Sequence, residues 1–469
     1  MKLSSVLLST ALLTPSSFFC QTQKSEKQTH KKNVLLIMAD DMNWVLGCYG
    51  HKQIKTPNID ALAEHSIRFN KAYCQVSVSN PSRSSLLTGL RPDKTGIYGN
   101  NYSVRELHPD VVTMPQYFKE NGYWTGVTGK IFHFGNDDEK SWTWIQPWNP
   151  DSLGEKSKDH RWRFSEEKTT KGEGGHVGKE RWMNWRAVES GLLQDDRTAN
   201  FAMEQINSLS KDQAFFFGVG FIRPHDAFYA PKRFFDLYPI ESMQLPAQDE
   251  TYPIPESAYG WKPWLKSFKT MNDLEKKELM RAYFAGVSYM DEQVGKVITA
   301  LKQKGLYDNT IIVFMGDNGY HQWEKNWFAK CTVWELSARV PLIISTPEGR
   351  EHPAVCDRVV ELLDLCPTVV ELAGLNPIPG RDGRSLLPLI KNPALPEKRW
   401  KGKAFTQFGE TRSVRTDQFR YCEWGSVDEA LFDHISDPDE KINLAKDPKY
   451  KDLIQKFRSE LKQKAGFGK

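Results

Sequence analysis

Apolar runs bounded by turn residues recur along the chain and predict its main strands. They lie at Asn33–Met38, Trp124–Thr128, Ala214–Phe221, Thr310–Met315 and Val340–Ser345. The first run is apolar throughout, which is typical of a buried parallel strand. Ligands of open α/β sheets bind at the carboxyl ends of the strands, so the residues after each run are the first candidates for chemistry.

Segments with apolar residues three and four positions apart predict the helices. They lie at Thr56–Glu64, Met114–Asn121, Asp195–Leu209, Asp273–Gly305 and Leu362–Leu375. The apolar residues of Asp273–Gly305 form one stripe, which indicates packing against a core and not a cofactor site.

A Pro- and Lys-rich linker at Lys391–Lys403 separates a smaller C-terminal part. There, Ala404–Phe408, Arg412–Thr416 and Phe419–Trp424 are predicted to be short antiparallel strands, and a terminal helix follows. We therefore predict a main domain at 33–392 and a C-terminal subdomain at 393–469.

The N-terminal segment has the pattern of an export signal. Lys2 precedes an apolar run at Leu3–Leu13, which is too short to span a bilayer, and we assign residues 1–20 to the signal. Cys20 could be the lipidated first residue of a bacterial lipoprotein, although Phe18 and Phe19 fit the small-residue requirement poorly. Residues 21–32 are polar and predict a tether. We expect a protein exported to the bacterial periplasm or lipid-anchored at the cell surface, with no transmembrane span.

Composition narrows the function only a little. The 63 basic and 59 acidic residues form no basic block, and we predict no nucleic-acid partner. The 15 Trp residues suit sugar stacking but equally a Trp-rich core. Apart from Cys20, the cysteines show no Cys-x-x-Cys spacing, so a zinc site is not favoured and pairing is left open.

Carboxylates follow two of the predicted strands. Asp40 and Asp41 end the first strand, and Asp317 and Asn318 follow Thr310–Met315. Two adjacent anions are costly to place together unless a cation lies between them, so a hard divalent metal is the natural partner. Taken alone, Asp40-Asp41 could equally form a solvated turn.

The stretch from Ser79 to Gly89 predicts a short helix with a reactive N-terminus. Pro81 suits the first turn, and Gly89 ends the helix. Ser79 would sit just ahead of the helix, where unpaired N–H groups and the positive dipole end point at a reacting group. Arg83 would supply a fixed cation one turn on. The alternative is an N-capped surface helix.

This stretch, Ser-x-Pro-Ser-Arg followed by Leu-Thr-Gly, resembles the signature of the sulfatase family, whose first residue, Cys or Ser, is oxidised to formylglycine. Gly-Lys-x-x-His at 129–133 and Asp-Asn-Gly-Tyr-His at 317–321 resemble the iduronate-2-sulfatase branch. The resemblance runs from about Asn33 nearly to the C-terminus. It implies an alkaline-phosphatase-like α/β sandwich with a central, mostly parallel sheet and a smaller C-terminal α+β domain, with the catalytic domain at 33–392.

The resemblance also implies a metal site and a cofactor. The implied metal ligands are Asp40, Asp41, Ser79 as formylglycine, Asp317 and Asn318. Oxygen ligands without histidine suit Ca²⁺ better than Zn²⁺. A formylglycine-generating maturase is the implied partner that would modify Ser79.

The same resemblance assigns catalytic roles. The hydrated aldehyde at position 79 would attack sulfur, and its second hydroxyl would later expel sulfate, a step that serine cannot perform. Arg83 and Lys130 would hold the hydrate, and His133 would act as the base in the elimination. His225, after the strand Ala214–Phe221, and Lys330 would bind sulfate and deliver a proton to the departing oxygen.

The predicted substrate is a sulfated poly- or oligosaccharide, such as a marine algal glycan or a glycosaminoglycan. The loop-rich segment Asn136–Glu189 contains several Trp residues and is predicted to be a wall of the cleft. His321 and Trp323 are candidate substrate contacts; relatives commonly have Leu-Gly at Gln322-Trp323. The alternative is that these rings fill the core.

Two other functions remain open at this point. With an unmodified Ser79 the protein would be a phosphate mono- or diesterase of the same superfamily. It could also be a non-catalytic sulfoglycan-binding protein. The complete catalytic set argues against the second alternative, and the pair of Pro81 and Arg83 argues against the first.

Overall fold

An eight-stranded, mostly parallel sheet runs through the structure, a computed structural model that describes residues 31–133, 137–146, 170–176, 183–426 and 428–464. In spatial order its strands are β11 (Ala354–Glu361), β2 (Ile67–Tyr73), β10 (Arg339–Ser345), β9 (Thr310–Gly316), β1 (Asn33–Asp40), β7 (Phe215–Pro224), β3 (Trp124–Gly129) and β4 (Trp144–Ile145). Strand β10 is antiparallel to both of its neighbours, and the other pairs are parallel.

Strand β1 lies at the centre of this sheet, between β9 and β7. All eight of its residues are buried, which explains why its sequence is apolar without alternation. Alternate side chains point to opposite faces, so Leu35 and Ile37 enter one hydrophobic core while Leu36 and Met38 enter a second. The sheet therefore separates two cores, each covered by helices.

Helices cover these two faces, and the last helix packs against the C-terminal sheet. They are α1 (Pro57–Ala63), α2 (Ser79–Thr88), α3 (Pro92–Thr95), α4 (Val104–Leu107), α5 (Met114–Glu120), α6 (Gln194–Ser208), α7 (Lys232–Phe235), α8 (Lys262–Lys269), α9 (Asp273–Gln303), α10 (Glu335–Ala338), α11 (Leu365–Leu372), α12 (Leu387–Lys391) and α13 (Lys451–Lys464). Helices α6 and α9 supply one core, whereas α2, α5 and α11 supply the other.

Two smaller antiparallel or mixed sheets complete the fold. The C-terminal sheet has the order β12 (Ala404–Phe408), β13 (Thr411–Arg415), β14 (Phe419–Trp424) and β15 (Asp428–Asp433). The other sheet joins β5 (Lys171–His176), β6 (Asn184–Ser190) and β8 (Phe228–Pro231). Lys31–Lys469 form one compact unit, so the proposed boundary between residues 392 and 393 lies inside it and stays a prediction. Among the described residues, no helix is long and apolar enough to cross a membrane.

The predicted fold class, an α/β sandwich with a mostly parallel sheet and a smaller C-terminal α+β part, is confirmed. Two local predictions need correction. Ser79 is the first residue of α2 and does not precede it. The predicted helix Leu362–Leu375 is divided into a 3₁₀ turn at Leu362–Asp364 and the shorter α11.

Candidate active site

The carboxyl ends of β1 and β9 bring two pairs of polar residues together. The strands are parallel neighbours, with Ala39 opposite Gly316, so the residues that follow them meet at one edge. The Asp41 N–H donates to Asp317 Oδ1 at 3.0 Å, and the Asn318 N–H donates to the same oxygen at 2.8 Å. Asp41 adopts a left-handed φ of 59°, a conformation that Asp tolerates better than most residues, and this turns its carboxylate into the site.

Helix α2 places Ser79 beside these carboxylates. Every residue of α2 is buried, and Gly89 ends the helix with a left-handed φ of 66°. Ser79 Oγ donates to Asp40 Oδ1 at 2.9 Å. The side chain of Ser79 therefore lies at the buried N-terminus of a helix, next to the predicted metal ligands.

Arg83, one turn further along α2, ties the two strand ends together. Its Nε donates to Asp317 Oδ2 at 2.7 Å, and its Nη2 lies 3.3 Å from Asp40 Oδ1. It also donates to the carbonyls of Lys130 and Ile131. The guanidinium has no exposed side-chain surface, so these contacts fix its position.

Two lysines complete the charge balance. Lys130 Nζ contacts Asp40 Oδ2, and Lys330 Nζ donates to Asp41 Oδ1 at 2.5 Å while lying 3.4 Å from Ser79 Oγ. Burial by itself would raise the pKa of Asp40, but the surrounding cations outweigh it and hold that pKa well below its ordinary value. Burial lowers the pKa of Lys130. The site therefore holds Asp40 as a carboxylate.

Two histidines lie at the same site. His225 follows the end of β7, and its Nε2 lies 3.6 Å from Asp41 Oδ2, while its Nδ1 lies 2.9 Å from Asp226 Oδ1. His133 is half-buried, and its pKa is lowered to about 2 by burial and by the neighbouring charge of Lys130. His133 is thus neutral near pH 7, as a general base must be.

The donor atoms of the site suit a hard cation. Asp41 Oδ2 and Asn318 Oδ1 are buried, and neither accepts a hydrogen bond. Atoms of Asp40, Asp41 and His225 that could bind a metal lie within 4.8 Å of one another. Buried oxygens without a hydrogen-bond donor are costly, and a divalent ion would satisfy them. The proximity of His225 departs from the histidine-free set that the sequence indicated.

The structure does not support the predicted substrate contacts His321 and Trp323. His321 is fully buried, and its Nε2 lies 2.9 Å from Thr332 Oγ1. Trp323 is only 1% exposed; its Nε1 donates to the Lys276 carbonyl, and its ring stacks on Phe328 at 4.8 Å. Both side chains belong to the core, so they cannot stack on or bind a sugar in this structure.

The predicted aromatic wall at Asn136–Glu189 is described only in part. Trp142 is buried, and Trp144 and Trp185 are partly buried against a core. The remaining Trp residues of this segment, Trp148, Trp162 and Trp182, lie outside the described residues. The described rings therefore serve packing.

Trp261, an exposed tryptophan next to a residue that approaches the Lys330 segment, was not singled out from the sequence. Trp261 is 53% exposed, and the preceding Gly260 packs against Cys331, the neighbour of Lys330. A Cβ at Gly260 would lie 2.0 Å from the Cys331 carbonyl oxygen, so the two segments touch through their backbones. The Gly-Trp pair was the only local signal in the sequence.

Comparison with known proteins identifies the class. The family described as "Sulfatase" matches residues 32–375, and "N-sulphoglucosamine sulphohydrolase, C-terminal" matches residues 323–466. A sulfatase of Formosa agariphila is 34% identical over 94% of this chain and 89% of its own length. Iduronate 2-sulfatase of Homo sapiens is 32% identical over 94% of this chain and 96% of its own. This chain belongs to the sulfatase family, and it is a sulfuric ester hydrolase.

Solved structures share the fold. One was determined in complex with its substrate, D-glucosamine-2-N,6-O-disulfate; it has a TM-score of 0.72 and 22% identity, covering 93% of this chain and 99% of its own. A phosphonate monoester hydrolase of Agrobacterium radiobacter has a TM-score of 0.76 and 21% identity, covering 93% and 96%. At these identities the likeness establishes the architecture and not the substrate.

Proposed function

We propose that this protein hydrolyses sulfate esters of a sulfated carbohydrate, with a formylglycine formed from Ser79 and a calcium ion at the ends of β1 and β9. The position of Ser79 carries the proposal. Its Oγ lies 2.9 Å from Asp40 Oδ1 and 3.4 Å from Lys330 Nζ, at the buried N-terminus of α2. A surface N-cap would have neither a buried carboxylate nor a buried ammonium group beside it.

The residues fit both groups. Calcium would be held by the side chains of Asp40, Asp41, Asp317, Asn318 and residue 79, and when bound it supplies positive charge to the sulfate oxygens. Formylglycine, when formed, supplies a nucleophile that can be regenerated without hydrolysis of a stable ester. The unpartnered oxygens of Asp41 and Asn318 support the metal assignment.

The remaining residues have distinct tasks in this scheme. Arg83 bridges Asp40 and Asp317 and holds the nucleophile against the metal ligands, together with Lys130. His133, which is neutral near pH 7, would act as the general base and accept a proton at its imidazole.

Lys330 and His225 act on the sulfate and the leaving group. The Lys330 ammonium lies between Asp41 and Ser79, and His225 lies beside Asp41. From these positions they bind sulfate oxygens and give a proton to the departing sugar oxygen.

Relatives and one exposed aromatic ring support a carbohydrate substrate. One relative bears the name iduronate 2-sulfatase, and one structural neighbour was solved with a sulfated glucosamine. The exposed ring of Trp261, carried next to the Lys330 segment, offers a surface on which a sugar ring can stack. We propose a poly- or oligosaccharide, with export to the periplasm or cell surface as the setting.

The proposal is tested by sulfate release. Protein co-produced with a formylglycine-generating enzyme is incubated with a panel of sulfated oligosaccharides and with matched phosphate esters, and released anions are measured by ion chromatography. We expect sulfate release, its loss in Ser79→Ala, and a residue-79 peptide about two mass units lighter than the serine form, as oxidation of an alcohol requires.

Each alternative has its own outcome in this test. Faster release of phosphate than of sulfate would favour the phosphoesterase, and binding of sulfated glycans without turnover would favour a non-catalytic protein. Full activity with an entirely unmodified Ser79 would contradict the aldehyde.

A further inference from the structure

A cavity lies between the loops that follow β1 and β9 and the C-terminal part of the chain. It has a volume of about 400 Å³, within the range of small-molecule pockets. Its walls come from the loop after β1 at Trp44, from α9 at Phe284, from the loop at Gln322–Lys325 and from the C-terminal part at Pro438–Lys441. None of the residues assigned above to the metal, the nucleophile or proton transfer lines it. We call it the Gln322 cavity.

Gln322 gives this cavity an unusual feature. The residue is only 3% exposed, yet neither its side-chain oxygen nor its side-chain nitrogen has a hydrogen-bond partner. Its backbone N–H donates to Glu324 Oε2 at 2.6 Å, which fixes the residue in place. Buried amides are normally paired, and an unpaired one lowers the stability of the fold. Both ends of the amide are therefore open to pairing with a molecule in the cavity.

Trp44 supplies a further unpaired donor to the same cavity. Its indole Nε1 is buried and has no hydrogen-bond partner. The Arg339 guanidinium stacks on the ring at 4.1 Å from its centre and holds the indole in a fixed orientation. The cavity thus offers two donors and one acceptor, fixed on two separate segments of the chain.

The charges at the cavity select against an anionic ligand. Glu250, Glu324 and Asp439 line it, and the Lys325 ammonium is already engaged by Glu250 and by the Glu440 carbonyl. The Lys441 ammonium also lines the cavity and is already paired with Asp249 and Asp439, so a sulfate or carboxylate there would face these carboxylates against cations that are already paired. A hydroxyl group both donates and accepts, and so it can satisfy an amide and an indole at no cost in charge.

We propose that the Gln322 cavity binds a neutral, hydroxyl-rich molecule of one or two sugar rings. Its hydroxyls pair with the Gln322 amide and the Trp44 indole N–H, while its apolar face lies against the ring of Phe284. This site goes beyond the proposed sulfatase function, because its ligand carries no sulfate and its occupancy needs no turnover.

The test uses Gln322→Leu, which keeps the volume and removes the amide. Thermal unfolding and ligand-observed NMR are measured with millimolar galactose, glucose and lactose. For the wild type we expect saturation transfer from protein to sugar and a rise in Tm. For Gln322→Leu we expect both to be lost, while the Tm of the ligand-free protein rises by about 1–3 °C because a stranded polar group is removed.

Two further variants keep the test decisive. Trp44→Phe retains a ring and removes the indole N–H, and we expect sugar binding about five- to tenfold weaker. Gln293→Leu is the matched control, since Gln293 is also buried with an unpaired amide nitrogen but does not line the cavity. It should retain the full response to sugar.

The outcomes separate this proposal from the sulfatase reaction. Gln322→Leu should keep its turnover of a small aryl sulfate, so lost sulfatase activity and lost sugar binding are read independently. The proposal is overturned if the wild type shows no response to any of the three sugars, if Gln322→Leu keeps that response, or if Gln322→Leu lowers the Tm of the ligand-free protein.

Discussion

Buried charge at the proposed active site is held in a balanced cluster. Asp40 contacts two cationic side chains, those of Arg83 and Lys130, while Lys330 pairs with the adjacent Asp41. Burying such charges is costly unless each has a partner, and removal of one partner leaves the others uncompensated. Two oxygens, on Asp41 and Asn318, remain without donors. These residues therefore form a cluster that the protein's own cations stabilise only in part.

The first prediction concerns the metal and the variant Asp317→Ala. Asp317 accepts from Arg83 and from the Asp41 N–H, so its loss removes a proposed oxygen ligand and disturbs the ends of both strands. Calcium at a hundredfold excess over its Kd should raise the free energy of unfolding of the wild type by about 2.7 kcal/mol. It should leave that of the variant unchanged. The measurement is Tm with calcium and with a chelator.

A buried carboxyl elsewhere provides the control. Asp291 accepts from the backbone N–H groups of Asn58 and Ile59 at the start of α1, away from the metal ligands. Asp291→Asn is expected to lower the stability but to keep the calcium response. A calcium response that persists in Asp317→Ala would place the ion elsewhere.

Side chains at strand ends could be placed from the sequence, whereas side chains in irregular loops could not. Asp40 and Asp317 follow apolar runs, so the pattern itself set their positions. Trp323 does not follow an apolar run that would fix its position. It begins a turn in which Trp323, Lys325 and Asn326 all adopt left-handed φ values, and this turn directs the ring into the core. No glycine marks the turn, so the sequence carried no local signal for it.

At the scale of elements, the apolar strands and amphipathic helices were predicted within a few residues, but seven strands were missed: β2, β4, β5, β6, β8, β11 and β15. Three of these show the reason. Strand β2 contains the polar run Arg68, Asn70 and Lys71, and β11 contains Asp357 and Arg358. Their residues are only partly buried because these strands lie toward one side of the sheet. The third, β15, is half-buried at the edge of the small sheet. Periodicity is weak where burial is partial.

The second prediction contrasts two tryptophans carried by different elements. Trp323 is buried and precedes a 3₁₀ turn, whereas Trp261 is exposed and immediately precedes α8. Trp323→Ala should lower the free energy of unfolding by about 3–5 kcal/mol and reduce kcat/KM equally for an oligosaccharide and for an aryl sulfate. Trp261→Ala should change stability by less than about 0.5 kcal/mol.

Trp261→Ala should nevertheless reduce kcat/KM about tenfold for a sulfated oligosaccharide and hardly at all for an aryl sulfate, because only the larger substrate reaches the ring. The measurement is kcat/KM of both variants on each of the two substrates, together with their melting curves. Equal losses on both substrates in Trp261→Ala would remove this ring from the proposed binding surface.

At the scale of the whole molecule, the C-terminal sheet supports the active site from two directions. The Thr406 hydroxyl and the Gln407 N–H donate to the carbonyls of Cys74 and Gln75, on the segment that leads into α2. On the other side, Glu335 follows shortly after Lys330 and is held by Arg420 of β14 at 2.6 Å. The C-terminal part therefore positions segments that carry both Ser79 and Lys330.

Arg420 makes the connection between the C-terminal sheet and the segment that carries Lys330. It bridges Glu335 and Glu440, and all three side chains are buried. Burial by itself would raise the pKa of both carboxyls, but the arginines and His434 outweigh it, so the pKa of Glu335 is well below its ordinary value and that of Glu440 is also lowered. Both carboxyls therefore stabilise the fold above the pKa that they have in the unfolded chain, about 4.3. That stability is lost as the pH falls through their lower, folded pKa values.

The third prediction is for Arg420→Met. The variant removes the cation shared by two buried carboxylates, which leaves them only partly compensated, and should lose about 3–5 kcal/mol of stability near pH 7. The deficit relative to the wild type should shrink as the pH falls below about 4, because protonation then removes the uncompensated charges. Arg458→Met is the control: Arg458 pairs with Glu429 at 2.6 Å, but its side chain is 43% exposed, and the loss should be about 0–1 kcal/mol.

Urea unfolding from pH 3.5 to 8 measures both variants, and kcat for an aryl sulfate reports on the Lys330 segment. We expect kcat of Arg420→Met to fall even where the protein is folded, since the segment from Lys330 to Glu335 loses its anchor. A deficit no larger than that of Arg458→Met, or one that does not change with pH, would show that the two parts of the molecule are held together by apolar contacts and not by this buried ion network.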